Sequence, residues 1–228
     1  MTDPVMRPRR IVVAITGASG APYAVRLLQA LRVGGVEIHL TMSPSGAAVI
    51  AQELGLKLDL RHPDLDGLIS CVPTWSTALP MEFDSPLGEL GNEYFHYHQH
   101  DDFFTPIASG SFVTDAMVIC PCSGSTLSGI ARAAAANLIQ RAAEVHLKEH
   151  RKLIVVPRET PLSVLQLENM QRLAAAGAVV LPAMPGWYHG VTRLEDLVDF
   201  VVARILDQIG VENKLISRWK DPSSEAIR

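Results

Sequence analysis

An arginine and a glutamate stand side by side where an apolar run stops: "KLIVVPRETPLS" places Arg158 and Glu159 directly after Val155, Val156 and Pro157. The pair offers a cation for an anionic group and a carboxylate that can give or take a proton. In a parallel sheet the carboxyl ends of strands are where loops and helix N-termini converge on ligands, so the pair is a candidate site at the start of the next helix. Arg141 and Lys148, seven residues apart in "NLIQRAAEVHLKEH", share one face of a helix. Surface salt bridging is the ordinary explanation for any one of these charges. Taken together, three cations and one carboxylate near strand ends suit a negatively charged small substrate and proton transfer.

Two further stretches offer donors. "TGASGA", Thr16 to Ala21, follows a first apolar strand, and its glycines let backbone N–H groups approach a phosphate or a planar ring. The spacing is not Gly-x-Gly-x-x-Gly, and the second strand ends in Thr41-Met42-Ser43 rather than in an acid for a ribose, so a dinucleotide site of the usual kind is not indicated. Ser43 supplies a hydroxyl instead. "CPCSGSTLSG" places Ser123, Ser125 and Thr126 at another helix start. Serine there is often a plain N-cap, but two such cradles in one sheet favour a ligand with both a phosphate and a polar ring.

"HYHQHDD" sets His96, His98 and His100 on one face of a strand, followed by Asp101 and Asp102. The pattern resembles a metal site. Imidazoles at i and i+2 sit roughly 6–7 Å apart in a strand and need help to converge on one ion, so the reading retained is a solvated histidine-rich strand or hairpin without a metal. The three cysteines, Cys71, Cys120 and Cys122, are odd in number, and Cys-Pro-Cys is too tight for the usual redox or zinc spacing. They read as reduced, buried thiols.

These groups need a scaffold. "RIVVAITGASGAPYAVRLLQALRVGGVEIHLTMS" is strand, glycine turn, amphipathic helix, glycine stop and strand, a βαβ opening. "DAMVICP", "KLIVVP" and "AVVLP" are later apolar runs separated by helical lengths, one of which breaks near Asn137. Alternation of this kind predicts an α/β fold with a doubly wound, mainly parallel sheet in a single domain over 1–228. Residues 56–107 break the rhythm and read as a variable inserted segment, and 210–228 read as a C-terminal arm. The 228 residues are 48% hydrophobic and carry 20 basic against 24 acidic side chains, a net charge of −4. That balance excludes a nucleic-acid footprint, and the chain has neither a signal-like start nor a membrane-length apolar run. A cytoplasmic protein whose partners are small molecules and copies of itself is expected.

Read in combination, "TGASGA", "ASGSF", "MVICPCSGSTLSGIA", "NLIQRAAEVHLKEHRKLIVVPRETPLS", "LPAMPGWYH" and "EDLVDFVVARILDQIG" resemble the UbiX-type flavin prenyltransferases over nearly the whole chain outside the stretch from Leu56 to Asp102. The resemblance implies a flavodoxin-like, Rossmann-related fold, FMN binding and a dodecamer. It also implies transfer of a dimethylallyl unit from dimethylallyl phosphate to N5 and C6 of reduced FMN, without a metal, the product serving a UbiD-type decarboxylase. By motif, Gly17, Ala18, Ser19, Ser43, Ser123, Gly124, Ser125, Thr126 and Arg158 would contact FMN. Arg141, Lys148, Glu159, Tyr188 and Arg204 would form the phosphate end of the prenyl donor, with contributions from neighbouring subunits. Glu53 would work with Ser19 beside the flavin, so that Ser19, Glu53, Lys148 and Glu159 carry the catalytic roles. Phe103 stands near where relatives often have tryptophan, which leaves the donor pocket's shape open.

Three other readings remain at this stage. FMN-dependent cysteine decarboxylases carry a Pro-Ala-Ser-Ala-Asn-Thr motif with a substrate-binding asparagine, where this chain has Ser125. A flavin carrier would need the cradles but not the charged set. A subunit that merely holds a decarboxylase partner would form a stable mixed complex.

Overall fold

The computed structural model describes residues 8–73, 76 and 94–219. In chain order the elements are β1 (Arg10–Ile15), α1 (Ala21–Val33), β2 (Glu37–Met42), α2 (Pro44–Leu54), α3 (Leu65–Ile69), β3 (Phe95–Gln99), β4 (Ala116–Cys122), α4 (Gly124–Ala131), α5 (Leu138–Lys148), β5 (Lys152–Pro157), α6 (Val164–Ala175), β6 (Val179–Val180) and α7 (Leu194–Ile209), with a 3₁₀ turn at Pro106–Ala108. The strands form one sheet in the order β3-β2-β1-β4-β5-β6, every neighbouring pair parallel. This is the doubly wound α/β sheet that the alternation predicts. The order reverses between β1 and β4, and such a switch point opens a crevice at the carboxyl ends of the strands.

Strand alternation splits the core into two layers. Ile11, Val13 and Ile15 of β1 pack with α1 and α7, whereas Val12 and Ala14 pack with α4 and α5. Each large aliphatic side chain buried this way contributes about 1.5–3 kcal/mol. Helix starts are fixed by polar caps: Ser43, Ser123, Asn137 and Ser163 accept from the backbone N–H of Gly46, Thr126, Gln140 and Gln166, each worth about 1 kcal/mol. The Asn137 cap divides the alanine-rich stretch into α4 and α5 where the sequence suggests a break.

Part of the segment that breaks the rhythm is integral to the sheet. Residues 95–99 form β3, the edge strand beside β2, and α3 buries Leu68 against the core; residues 77–93 of that segment lie outside the described residues. The start of the C-terminal arm is held as well. Val211 is buried, and the Arg218 guanidinium donates to both oxygens of Asp207 at 2.6 and 2.7 Å; residues 220–228 lie outside the described part.

Candidate active site

The carboxyl ends of β1 and β4 are stitched together by one threonine. Thr16, buried at the end of β1, donates its hydroxyl to the Pro121 carbonyl at 2.8 Å and accepts from the Ser123 N–H at 2.7 Å. This fixes the Gly17–Gly20 turn against the start of α4. Gly20 has φ +125°, a left-handed value that favours glycine. Gly17 lies so close to α2 that an added Cβ would meet the Ser45 side chain at 2.5 Å. In the sequence Thr16 is only the edge of the "TGASGA" motif. A threonine ending an apolar strand, with a serine turn ending another, was the available signal.

Hydroxyls come in pairs on either side of this turn. Ser43 and Ser45 Oγ are 3.1 Å apart at the start of α2, and Ser123 and Ser125 Oγ are 3.1 Å apart at the start of α4. The first turn of a helix also leaves N–H groups without intrahelical partners and favours negative charge. Thr126 is mostly buried and supports the cap, its Oγ1 3.0 Å from Ser123 Oγ. Donors of this kind, flanking a glycine turn at the switch point, fit a group with a phosphate and a polar ring system such as FMN.

Charged side chains brace the turn from two sides. The Glu53 carboxylate, reaching from α2, accepts the N–H of Gly20 at 3.0 Å and of Ala21 at 2.8 Å, capping α1 next to Ser19. From β5, Arg158 Nε donates to the Ser19 carbonyl at 3.0 Å. Glu159 accepts from Gln166 Nε2 at 3.4 Å, and the Gln166 side chain also lies against Gly124. Gln166 thus ties Glu159 to the start of α4, a positioning residue that sequence reasoning did not identify. Burial raises the Tyr23 hydroxyl above its usual pKa, a tendency Cys120 reinforces and Arg158 opposes. Arg158 and Glu159 do not open the next helix as the sequence suggests, because residues 158–163 intervene before α6.

The remaining charged residues do not join this cluster within one chain. Lys148 ends α5 and pairs with Glu149, just ahead of β5, whereas Arg158 and Glu159 follow β5; a strand of that length separates them by about 17 Å. Arg141 Nε donates to the Ala108 carbonyl at 3.2 Å. Heptad spacing puts both cations on one helix face but does not say which strand end that face approaches; among the described residues no hydrogen bond or ion pair joins Arg141 or Lys148 to Arg158 or Glu159. Tyr188 and Arg204 form a third patch. The Tyr188 ring meets Phe200 and Trp219 edge-on at 5.7 and 5.3 Å, and Arg204 pairs with Asp207 at 2.9 Å, one turn beyond Phe200 on α7.

The comparisons decide what family this geometry belongs to. The Flavoprotein family model matches residues 3–206. A curated relative described as the flavin prenyltransferase UbiX of Halalkalibacterium halodurans is 44% identical over 207 residues, covering 91% of each chain. The protein of the same description from Pseudomonas aeruginosa is 44% identical over 212 residues, covering 93% of this chain and 94% of that one. This chain belongs to the UbiX flavin prenyltransferase family. Among solved structures, AnUbiX (PadA1) in complex with FMN and dimethylallyl pyrophosphate matches at TM-score 0.75 and 36% identity, covering 94% of this chain and 99% of that one. A dodecameric FMN-dependent UbiX-like decarboxylase from Escherichia coli O157:H7 matches at TM-score 0.74 and 39% identity, with 93% and 99% covered. The cysteine decarboxylase TvaF, at 14% identity and TM-score 0.53, shares the fold alone.

Proposed function

We propose that the chain transfers a dimethylallyl group from dimethylallyl phosphate to N5 and C6 of reduced FMN, which closes a fourth flavin ring and releases phosphate. Reduced FMN supplies the electron-rich acceptor atoms. The Gly17–Ser19 turn with Ala18, the Ser43 and Ser123 hydroxyl pairs, Gly124, Ser125, Thr126 and Arg158 hold it at the switch point. Glu53 holds the turn from behind and stands beside Ser19, where it relays a proton at the ring. Glu159 sits at the rim on the donor side. A departing phosphate needs cations and a hydroxyl already in place, and Arg141, Lys148, Tyr188 and Arg204 are the groups suited to provide them.

What carries this reading is the division of those groups into three patches, with a flavin cradle complete in one chain and a donor end that is not. Neighbouring copies supply Arg141 with Lys148 and Tyr188 with Arg204, so the working unit is a homo-oligomer, a dodecamer by analogy with the UbiX-like relative. Exposed apolar side chains are available for assembly: Phe104, Val164, Leu165, Met184 and Trp187 all face outward. The product is destined for a UbiD-type decarboxylase. We also place the enzyme in the cytoplasm, in keeping with free Cys71, Cys120 and Cys122. No helix among the described residues is long and apolar enough to cross a membrane.

Anaerobic incubation with reduced FMN and dimethylallyl phosphate tests the proposal, read by mass spectrometry of the extracted flavin. A flavin heavier by one isoprenyl unit, with phosphate released and no metal added, is the expected result. Unmodified FMN with both the phosphate and the diphosphate donor would leave a flavin carrier as the better reading.

A further inference from the structure

Strand β2 is apolar on one face and polar on the other, and both faces are buried. Ile38, Leu40 and Met42 join the core, while Glu37, His39 and Thr41 on the opposite face are 7%, 3% and 0% exposed. Strands covered on both sides in parallel sheets are ordinarily apolar throughout, and buried polar groups cost free energy unless they find partners. Prenyl transfer makes no use of this row. Glu37 opens β2, and Ser43 follows its far end, about 20 Å away at strand rise.

The neighbouring strand adds two imidazoles to that face. Register places His96 beside His39 and His98 beside Thr41, and the His39 ring stacks against both, at centroid distances of 4.7 and 5.2 Å. Arg10 Nε holds Glu37 Oε2 at 2.8 Å, leaving Oε1 3.0 Å from His39 Nε2 and 3.7 Å from His96 Nε2. The last distance is too long for a hydrogen bond. One ligand atom from each of Glu37, His39 and His96 lies within 4.8 Å of the others, against about 3.3 Å between the ligands of a tetrahedral zinc ion. The His96 side chain is 41% exposed, so it has room to turn and close the difference while Glu37 and His39 stay in place.

We propose that Glu37, His39 and His96 bind a divalent transition-metal ion, zinc by preference, at the β2–β3 edge of the sheet. Two imidazoles and one carboxylate suit zinc rather than magnesium or calcium, which take oxygen ligands, and water completes the fourth position on the solvent side. His98 Nε2 lies 2.9 Å from His39 Nδ1. When His39 Nε2 is on the ion, its Nδ1–H donates to His98, while Arg10 orients the carboxylate, the outer contacts that fix metal ligands elsewhere. The ion staples the five-residue edge strand to β2 and takes no part in prenyl transfer. The sequence-based expectation of no metal considered the triplet His96, His98 and His100. The proposed ligand set uses only the first of these, and His100 faces Asp101 instead, at 4.0 Å. The inference does not depend on the prenyltransferase reading.

The test uses full-length protein without a histidine tag, stripped with a chelator and titrated with cobalt(II), then zinc(II). About one equivalent per chain should bind, with the visible bands of a four-coordinate cobalt site, and zinc should raise Tm. His96→Ala, a half-exposed position, should weaken zinc binding at least about tenfold and abolish the Tm shift while FMN binding persists. Glu37→Gln, which keeps the side chain's shape, should do the same, and His100→Ala should change neither. Absence of stoichiometric binding, or affinity that survives His96→Ala and Glu37→Gln, would overturn the proposal.

Discussion

The cradle at the ends of β1, β2 and β4 and the cations on α5 and α7 are built by different logics. The cradle is local: a strand end, a short turn and a helix start place Ser19, Ser43 and Ser123, and Thr16 joins two of these turns with two hydrogen bonds. The cations are presented outward on helix faces, and within one chain they satisfy themselves with Glu149, the Ala108 carbonyl and Asp207. On the proposed reading, an acceptor site is written into one strand-turn-helix pattern, while a donor site that must close over a departing phosphate is left for assembly to complete.

The largest expected effect breaks the donor side alone. Glu159→Gln and Lys148→Ala should each slow formation of prenylated flavin by about 10²–10⁴-fold with FMN affinity nearly unchanged, measured by stopped assays and flavin fluorescence titration. Glu53→Gln, on the cradle side, should show the same split because glutamine keeps the shape and loses the proton-relay role, and equal losses of affinity and rate would contradict these assignments. Mixing sharpens the point. If Glu159 and Lys148 of one site come from different copies, oligomers co-assembled from equal amounts of the two variants should regain about a quarter of the wild-type rate; no recovery would place both groups in one chain.

A buried histidine on the cation-bearing helix makes stability depend on pH. His146 is buried on α5, its Nδ1–H donating to the Ala142 carbonyl and its Nε2 accepting from the Thr114 hydroxyl. Burial lowers its pKa to about 4 from the ordinary 6.5, aided by Arg151 and opposed by the Ala142 hydrogen bond. The unfolded chain therefore takes up the proton first, and stability falls as pH drops from about 6.5 to about 4, then levels, by up to about 3 kcal/mol from this group. Denaturant midpoints across that range, compared between wild type and His146→Gln, measure it; the variant should show the shallower slope.

A smaller effect tests the stitch in the cradle. Thr16→Val keeps the shape but leaves the Ser123 N–H without its acceptor, a loss of about 1–3 kcal/mol, visible in thermal melts as well as in weaker FMN binding.

Much of this was legible in the sequence, and what escaped did so for physical reasons. Glycine turns, apolar runs and the Asn137 cap gave β1, β2, β4, β5 and most helix limits, because those signals are local. The histidine alternation marked residues 95–99 as a strand, but not as an edge of the main sheet, because "FHYHQ" lacks the apolar alternation of a buried strand, its polar face being matched by Glu37 and His39 on β2 rather than by solvent. The placement of Arg141 and Lys148 escaped because periodicity fixes a helix face, whereas which strand end that face approaches is a property of the three-dimensional fold. Gln166 forms a capping box with Ser163, and nothing in its spacing revealed that the same side chain reaches Glu159.

Glu53 has a further effect through its place over the N–H groups of Gly20 and Ala21, where α1 begins. Dinucleotide-binding proteins of related architecture seat a pyrophosphate at that helix end, drawn by its positive pole. Here a carboxylate already occupies the position, so a bridging pyrophosphate would meet like charge and lose its donors. The anion-favouring ends left open belong to α2 and α4. On the proposed reading this carboxylate disfavours a dinucleotide and suits a mononucleotide, before any contact with the isoalloxazine ring is made.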